Sequence, residues 1–71
     1  MPTIDPIANP AGSRILVNRF GDVADEEKIL EWAPAGDYLK LQARGGQIHW
    51  EQKRITNSVI IEILVTTPPV V

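Results

Sequence analysis

The stretch Ile29-Leu30-Glu31-Trp32-Ala33-Pro34-Ala35-Gly36-Asp37-Tyr38-Leu39-Lys40-Leu41-Gln42-Ala43-Arg44-Gly45-Gly46-Gln47-Ile48-His49-Trp50-Glu51 sets two turn signals within alternating apolar sequence. Residues 34–37 form a four-residue loop, with Pro34 where a turn uses its fixed φ. Ala33 then faces Tyr38, Trp32 faces Leu39 and Leu30 faces Leu41. Gly45-Gly46 reads as a two-residue hairpin loop, whose central positions favour positive φ. It sets Arg44 opposite Gln47, Ala43 opposite Ile48 and Leu41 opposite Trp50. The two placements agree, because Leu30, Trp32, Leu39, Leu41, Ala43, Ile48 and Trp50 all fall on one face of a three-stranded meander. Both indoles are therefore expected inward. A slip of one residue would send an apolar set to the other face. On that other face Lys40 lies between Glu31 and Glu51, and Gln42 faces His49. Such cross-strand pairs contribute about 0.2–1 kcal/mol each.

Outward from this centre, Arg14-Ile15-Leu16-Val17-Asn18-Arg19-Phe20 is apolar and β-branched and reads as a first strand ending at Gly21-Asp22. Asp22-Val23-Ala24-Asp25-Glu26-Glu27 reads as a solvated acidic loop, or one helical turn with Asp25 as N-cap. Residues 54–58 read as a short turn or a single 3₁₀ turn. Residues 59–65 form the last strand, with Val59, Ile61, Ile63 and Val65 on one side and Ile60, Glu62 and Leu64 on the other. Both sides are mostly apolar. Residues 1–13 form an arm in which Pro2, Pro6 and Pro10 preclude a helix interior or a central strand. The domain proper spans 14–66, and 67–71 form a second extended tail.

Five short strands with this spacing define an all-β domain. The plan resembles the SH3-like small β-barrel, whose last strand returns beside the first. Residues 29–41, followed by Trp50 and by 59–64, are also similar to small barrel proteins of phage and bacterial genomes. The resemblance covers 14–66 and implies architecture: a small five-stranded SH3-like barrel or a strongly bent antiparallel sheet, with extended N- and C-terminal arms. The first strand departs from peptide-reading SH3 domains, which carry an Ala-Leu-Tyr-Asp-Tyr-like run there. With both tryptophans inward, only Tyr38 and Phe20 remain to form a groove, so recognition of proline-rich peptides is not expected.

Composition excludes several functions. The chain has 71 residues, no cysteine and one histidine, His49, which removes disulfides, thiolate chemistry and His- or Cys-rich metal sites. Formal charge is -2, and the only adjacent basic pair is Lys53-Arg54, a weak footprint for nucleic acid or an anionic membrane. No apolar run approaches the length of a membrane span, and the N-terminus lacks the pattern of a secretory signal. A virion or cytoplasmic location is expected. Ser13, Ser58, the threonines, Tyr38 and His49 supply no nucleophile–base–orienter set. The Glu31–Lys40–Glu51 row reads as structural, since a lysine between carboxylates favours their charged forms. Asp25, Glu26 and Glu27 lack calcium-loop spacing. No catalytic residue, metal or cofactor is expected.

A domain this small without staples is marginal alone and usually draws on a partner. The sequence therefore points to a non-catalytic structural protein in a homo- or hetero-oligomer, a phage virion accessory subunit such as a capsid decoration or tail component. It would bind neighbours through arms and sheet edges, with Ile4, Ile7, Val59, Ile61, Ile63, Val65, Val70 and Val71 at the contacts. The alternative is a small inhibitor or adaptor that meets one basic host protein through Asp22, Asp25, Glu26, Glu27 and Glu31.

Overall fold

The computed structural model describes residues 2–21 and 23–65. Within them the chain forms β1 (Arg14–Val17), β2 (Asp25–Trp32), β3 (Tyr38–Ala43), β4 (Ile48–Gln52), a short helix α1 (Lys53–Val59) and β5 (Ile60–Val65). The strands make one antiparallel sheet in the order β4-β3-β2-β1-β5. The last strand returns beside the first. The sheet is not closed into a barrel, because β4 and β5 end it as two separate edges.

The first bend of the meander follows the sequence. Gly36 N–H donates to the Ala33 carbonyl at 2.9 Å and Ala33 N–H to that of Tyr38 at 2.9 Å, which puts Pro34 second in the turn. Trp32 faces Leu39, and Glu31 faces Lys40. One step further the register departs from expectation. Leu41 faces Ile29 rather than Leu30, which is the extra residue of a β-bulge. The bulge returns the fully buried Ile29 to the inner face.

The second bend corrects the expected register. Its loop has three residues, Arg44-Gly45-Gly46, rather than two. Gly46 N–H donates to the Ala43 carbonyl at 2.9 Å, Ala43 N–H donates to that of Gln47 at 2.8 Å, and Gly46 takes φ 91°. This is a type I turn followed by a left-handed glycine, the usual three-residue hairpin. The added residue sets Leu41 opposite His49, Lys40 opposite Trp50 and Gln42 opposite Ile48. Trp32 and Trp50 consequently lie on opposite faces. Ile48 and Trp50 are outside, 53% and 47% exposed, while Glu51 lies across from the fully buried Leu39. The expected pairs Leu41–Trp50, Ala43–Ile48, Gln42–His49 and Lys40–Glu51 do not form.

Element boundaries shift too. β1 stops at Val17 because the Asn18 side chain closes a turn, accepting from Gly21 N–H at 2.8 Å and donating to the Gly21 carbonyl at 3.2 Å. The acidic run is strand rather than loop or helical turn: Asp25, Glu26 and Glu27 pair with Val17, Leu16 and Ile15. Asp22 lies outside the described residues. The expected turn at 54–58 is α-helical, and Val59 is the last residue of α1 rather than the first of β5. Two register shifts break the simple alternation of β5, leaving Ile60 4% exposed in the core and Ile61 and Leu64 partly on the surface.

The core is Ile4, Ile15, Val17, Ile29, Leu39, Leu41 and Ile60, with Trp32, Val59 and Ile63 packed against it. Ile4 belongs to the presumed arm, which is laid across its own domain. The Asp5 carboxylate accepts from the Ile7 and Ala8 amides at 2.8 Å each, and Asn9 N–H donates to the Asp5 carbonyl at 2.8 Å. The resulting single turn is an Asx-type arrangement. Beyond it the Trp32 indole N–H donates to the Asn9 carbonyl at 2.8 Å, and Ser13 and Gly12 exchange backbone bonds with Ile29. Ile4 N–H donates to Asn57 Oδ1 at 2.9 Å, tying the segment to α1. Contact is close enough that a Cβ on Gly36 would lie 2.9 Å from Pro6 Cγ. Residues 67–71, the expected second tail, lie outside the described residues.

Candidate interaction surface and inner ion network

The inner face is not wholly apolar, and Arg19 organises its polar end. The turn after β1 aims the guanidinium between β2 and β4. Nε and Nη2 donate to the two oxygens of Glu27, each at 2.9 Å, and Nη1 and Nη2 donate to those of Glu51 at 2.6 and 2.8 Å. Both carboxylates are thus gripped in fork geometry, the arrangement in which arginine is strongest. Glu27 and Glu51 keep only 5% and 13% of their side-chain exposure, so the pairs are poorly screened. Thr56 Oγ1, fully buried on α1, donates to Glu51 Oε1 at 2.6 Å, and His49 Nε2 stands 3.8 Å from Glu51 Oε2.

The electrostatics follow from these contacts. Hydrogen bonding to Glu27 and Glu51 holds the Arg19 guanidinium further above its already high range, against the opposing effect of burial. Burial pushes the Glu51 carboxyl up, but hydrogen bonds from Arg19 and Thr56 outweigh it and hold the group below the ordinary carboxylate value. An anion of lowered basicity with occupied oxygens is suited to binding β1, β2, β4 and α1 together. It is poorly suited to donating or abstracting a proton at neutral pH. Among the described residues no group of three or more His, Asp or Glu side chains is placed to hold a metal ion.

The outer face is different. Tyr38, Ile48 and Trp50 are 41%, 53% and 47% exposed. They share the side of the sheet opposite Leu39 and Leu41 and lie on β3 and the edge strand β4. Gln52 Nε2 donates to the Tyr38 hydroxyl at 2.9 Å, and Lys40 Nζ stands over the Trp50 ring.

The expected contact residues scatter across this architecture. Ile4 is 2% exposed in the core, and Val59 and Ile63 pack against it, so three of the eight serve the domain's own interior. Ile7 is 92% exposed at the tip of the Asp5-capped turn, and Ile61 is 45% exposed on β5. The Val65 side chain, Val70 and Val71 lie outside the described residues. The acidic set is also divided. Glu27 is buried against Arg19, Glu26 meets Arg14 at 3.2 Å, and Glu31 meets Lys40 at 3.9 Å, whereas Asp25 forms no ion pair among the described residues. Sequence reasoning missed Arg19, Thr56, Ile48 and Trp50 as surface or network residues. The available signal was the glycine pair, which fits a three-residue loop as well as a two-residue one.

The chain matches no protein-family model, no curated protein and no solved structure. No helix among the described residues is long and apolar enough to cross a membrane.

Proposed function

We propose that this chain is a non-catalytic structural subunit that binds neighbouring protein chains through the outer face and open edges of its sheet. The observation that carries this reading is the placement of Ile48 and Trp50, two large apolar side chains about half exposed, on an edge strand. Edge strands are otherwise blunted by charge, proline or cover, and exposed aromatic and aliphatic anchors are the usual centres of protein contacts. The N-terminal segment drops out as a free arm, since its apolar anchor Ile4 is consumed internally. A phage virion accessory role is the setting we assign to such a subunit, on the resemblance of residues 14–66 to small phage and bacterial barrels. The acidic-contact alternative is less well supported, because Glu26, Glu27 and Glu31 each have a cation within the chain.

The test is sedimentation of the tagged chain in lysate of the cells that make it. The wild type is expected in complexes far heavier than a free small domain. Ile48→Asp with Trp50→Ser should release it while leaving its far-UV circular dichroism unchanged. Release by Glu26→Lys instead, with no effect of the outer-face pair, would overturn the reading in favour of the acidic contact.

A further inference from the structure

We infer that the neighbour seated on β4 is a second copy of this chain, paired antiparallel through β4 about a twofold axis at Trp50. This rests on the assembly reading above and names its partner. Backbone geometry fixes which groups are free. Ala43 N–H donates to the Gln47 carbonyl and Lys53 N–H to that of Asp37, both at 2.8 Å. Bonded and non-bonded pairs alternate along an antiparallel ladder. Leu41–His49 and Leu39–Glu51, lying between those two pairs, are therefore bonded as well. Ile48 and Trp50 accordingly turn their N–H and C=O groups away from β3, towards the open edge, and Gln52 adds its N–H, its carbonyl accepting from Thr56 Oγ1 at 3.3 Å at the start of α1. Strand addition satisfies such a row.

Charge and register select the partner. With the axis at Trp50, all five residues of β4 find a counterpart: Ile48 meets Gln52 of the second copy, and His49 meets its Glu51. The His49–Glu51 pairs fall at non-bonded positions, where side chains stand closest, and bring each imidazole, already 3.8 Å from its own Glu51, to the edge of the other copy's Arg19-bound carboxylate. Moving the axis to Glu51 places like charges directly opposite, which is destabilising. Moving it to His49 sets the imidazoles against each other and leaves Glu51 beyond the paired strand. On the outer face the Trp50-centred register joins both Ile48–Trp50 pairs into one apolar strip. The contact is isologous and closes as a dimer, leaving β5 of each copy for other neighbours.

Because the chain has no cysteine, introduced thiols report the register directly. Opposed residues of a bonded pair have Cα atoms about 5.5 Å apart, within disulfide range. Ile48→Cys and Gln52→Cys, each made singly and then mixed, should cross-link to one another far faster than either does to itself. Analytical ultracentrifugation of the full wild-type chain should show a monomer–dimer equilibrium between micromolar and millimolar concentration. Trp50→Pro removes an outward N–H without touching the β3 ladder and should abolish the dimer; His49→Glu, which opposes carboxylates, should weaken it at least tenfold. A wild type that stays monomeric throughout, or a dimer that fails to cross-link 48 with 52, overturns the pairing. A monomer that still enters the heavy complexes of the lysate overturns only the self-pairing, whereas a dimer that never enters them overturns the assembly reading.

Discussion

Lys40 lies directly opposite Trp50, and its ammonium stands 5.7 Å from the centre of the indole ring. On its other side the same ammonium is 3.9 Å from Glu31. The cation therefore bridges β2 to β4 across β3, and it covers part of an indole that the core does not. Lys40→Met should cost about 0.5–1 kcal/mol, read by urea unfolding, and should cost little once Trp50→Leu is present. Equal losses in both backgrounds would show that ring and ammonium do not interact.

Removing Arg19 has a larger consequence. Arg19→Met leaves Glu27 and Glu51 facing one another without their shared cation, and unfolding should become easier by about 3 kcal/mol, the low end for a broken buried pair. Arg19→Lys keeps the charge but not the double fork, and should recover less than half of that. A loss below about 1 kcal/mol, the surface-pair range, would place the network in solvent.

Acid should weaken the fold through Glu51. Its folded pKa lies below the ordinary 4.5, so its contribution is complete above that value and is lost as pH falls through the lowered one. Urea midpoints should hold from neutral pH down to about 5 and then drop. Thr56→Val removes one of the bonds that lower the pKa, so it should cost about 1 kcal/mol at neutral pH and flatten the acid loss.

The N-terminal segment makes a contrasting pair of predictions. Ile4→Ala deletes a buried side chain and should cost about 2–4 kcal/mol, whereas Ile7→Ala, almost wholly exposed, should lie within about 0.5 kcal/mol of wild type. Thermal unfolding separates the two. Equal effects would mean that the segment is not packed as described.

Gly36 and Gly46 separate backbone strain from collision. Both have positive φ, 76° and 91°, but a Cβ has open space at Gly46 and meets Pro6 at Gly36. Gly46→Ala should cost about 1–2 kcal/mol from conformation alone, and Gly36→Ala at least about 1 kcal/mol more from overpacking. Adding Pro6→Ala to Gly36→Ala should return part of that excess.

Much of the sheet was legible from residue pattern, and the losses have identifiable causes. Trp32 against Leu39 and Glu31 against Lys40 were readable because Pro34 and Gly36 permit few loops. The Arg44-Gly45-Gly46 bend was not, since two loop lengths suit its glycines and the apolar count favoured the wrong one. What tips the balance is remote in sequence: Arg19 and Thr56 require Glu51 inside, and that requirement turns Trp50 out. The acidic run misled for the same reason, because Glu27 enters the interior only with Arg19 in place. Proline spacing correctly denied residues 2–13 a helix or central strand, yet it carried no sign that Ile4 and the Asn9 carbonyl complete the interior. The surface at Ile48 and Trp50 became visible only once that register was known.

The division of the two tryptophans between opposite faces gives the molecule a pair of optical reporters that need no labelling. Emission from Trp32, held by the Asn9 carbonyl, follows detachment of the N-terminal segment. Emission from Trp50 follows whatever settles on the exterior, and a soluble quencher should reach the second long before the first. Replacing either indole by phenylalanine isolates the other, so loosening from within and occupancy from without can be timed separately in the same chain.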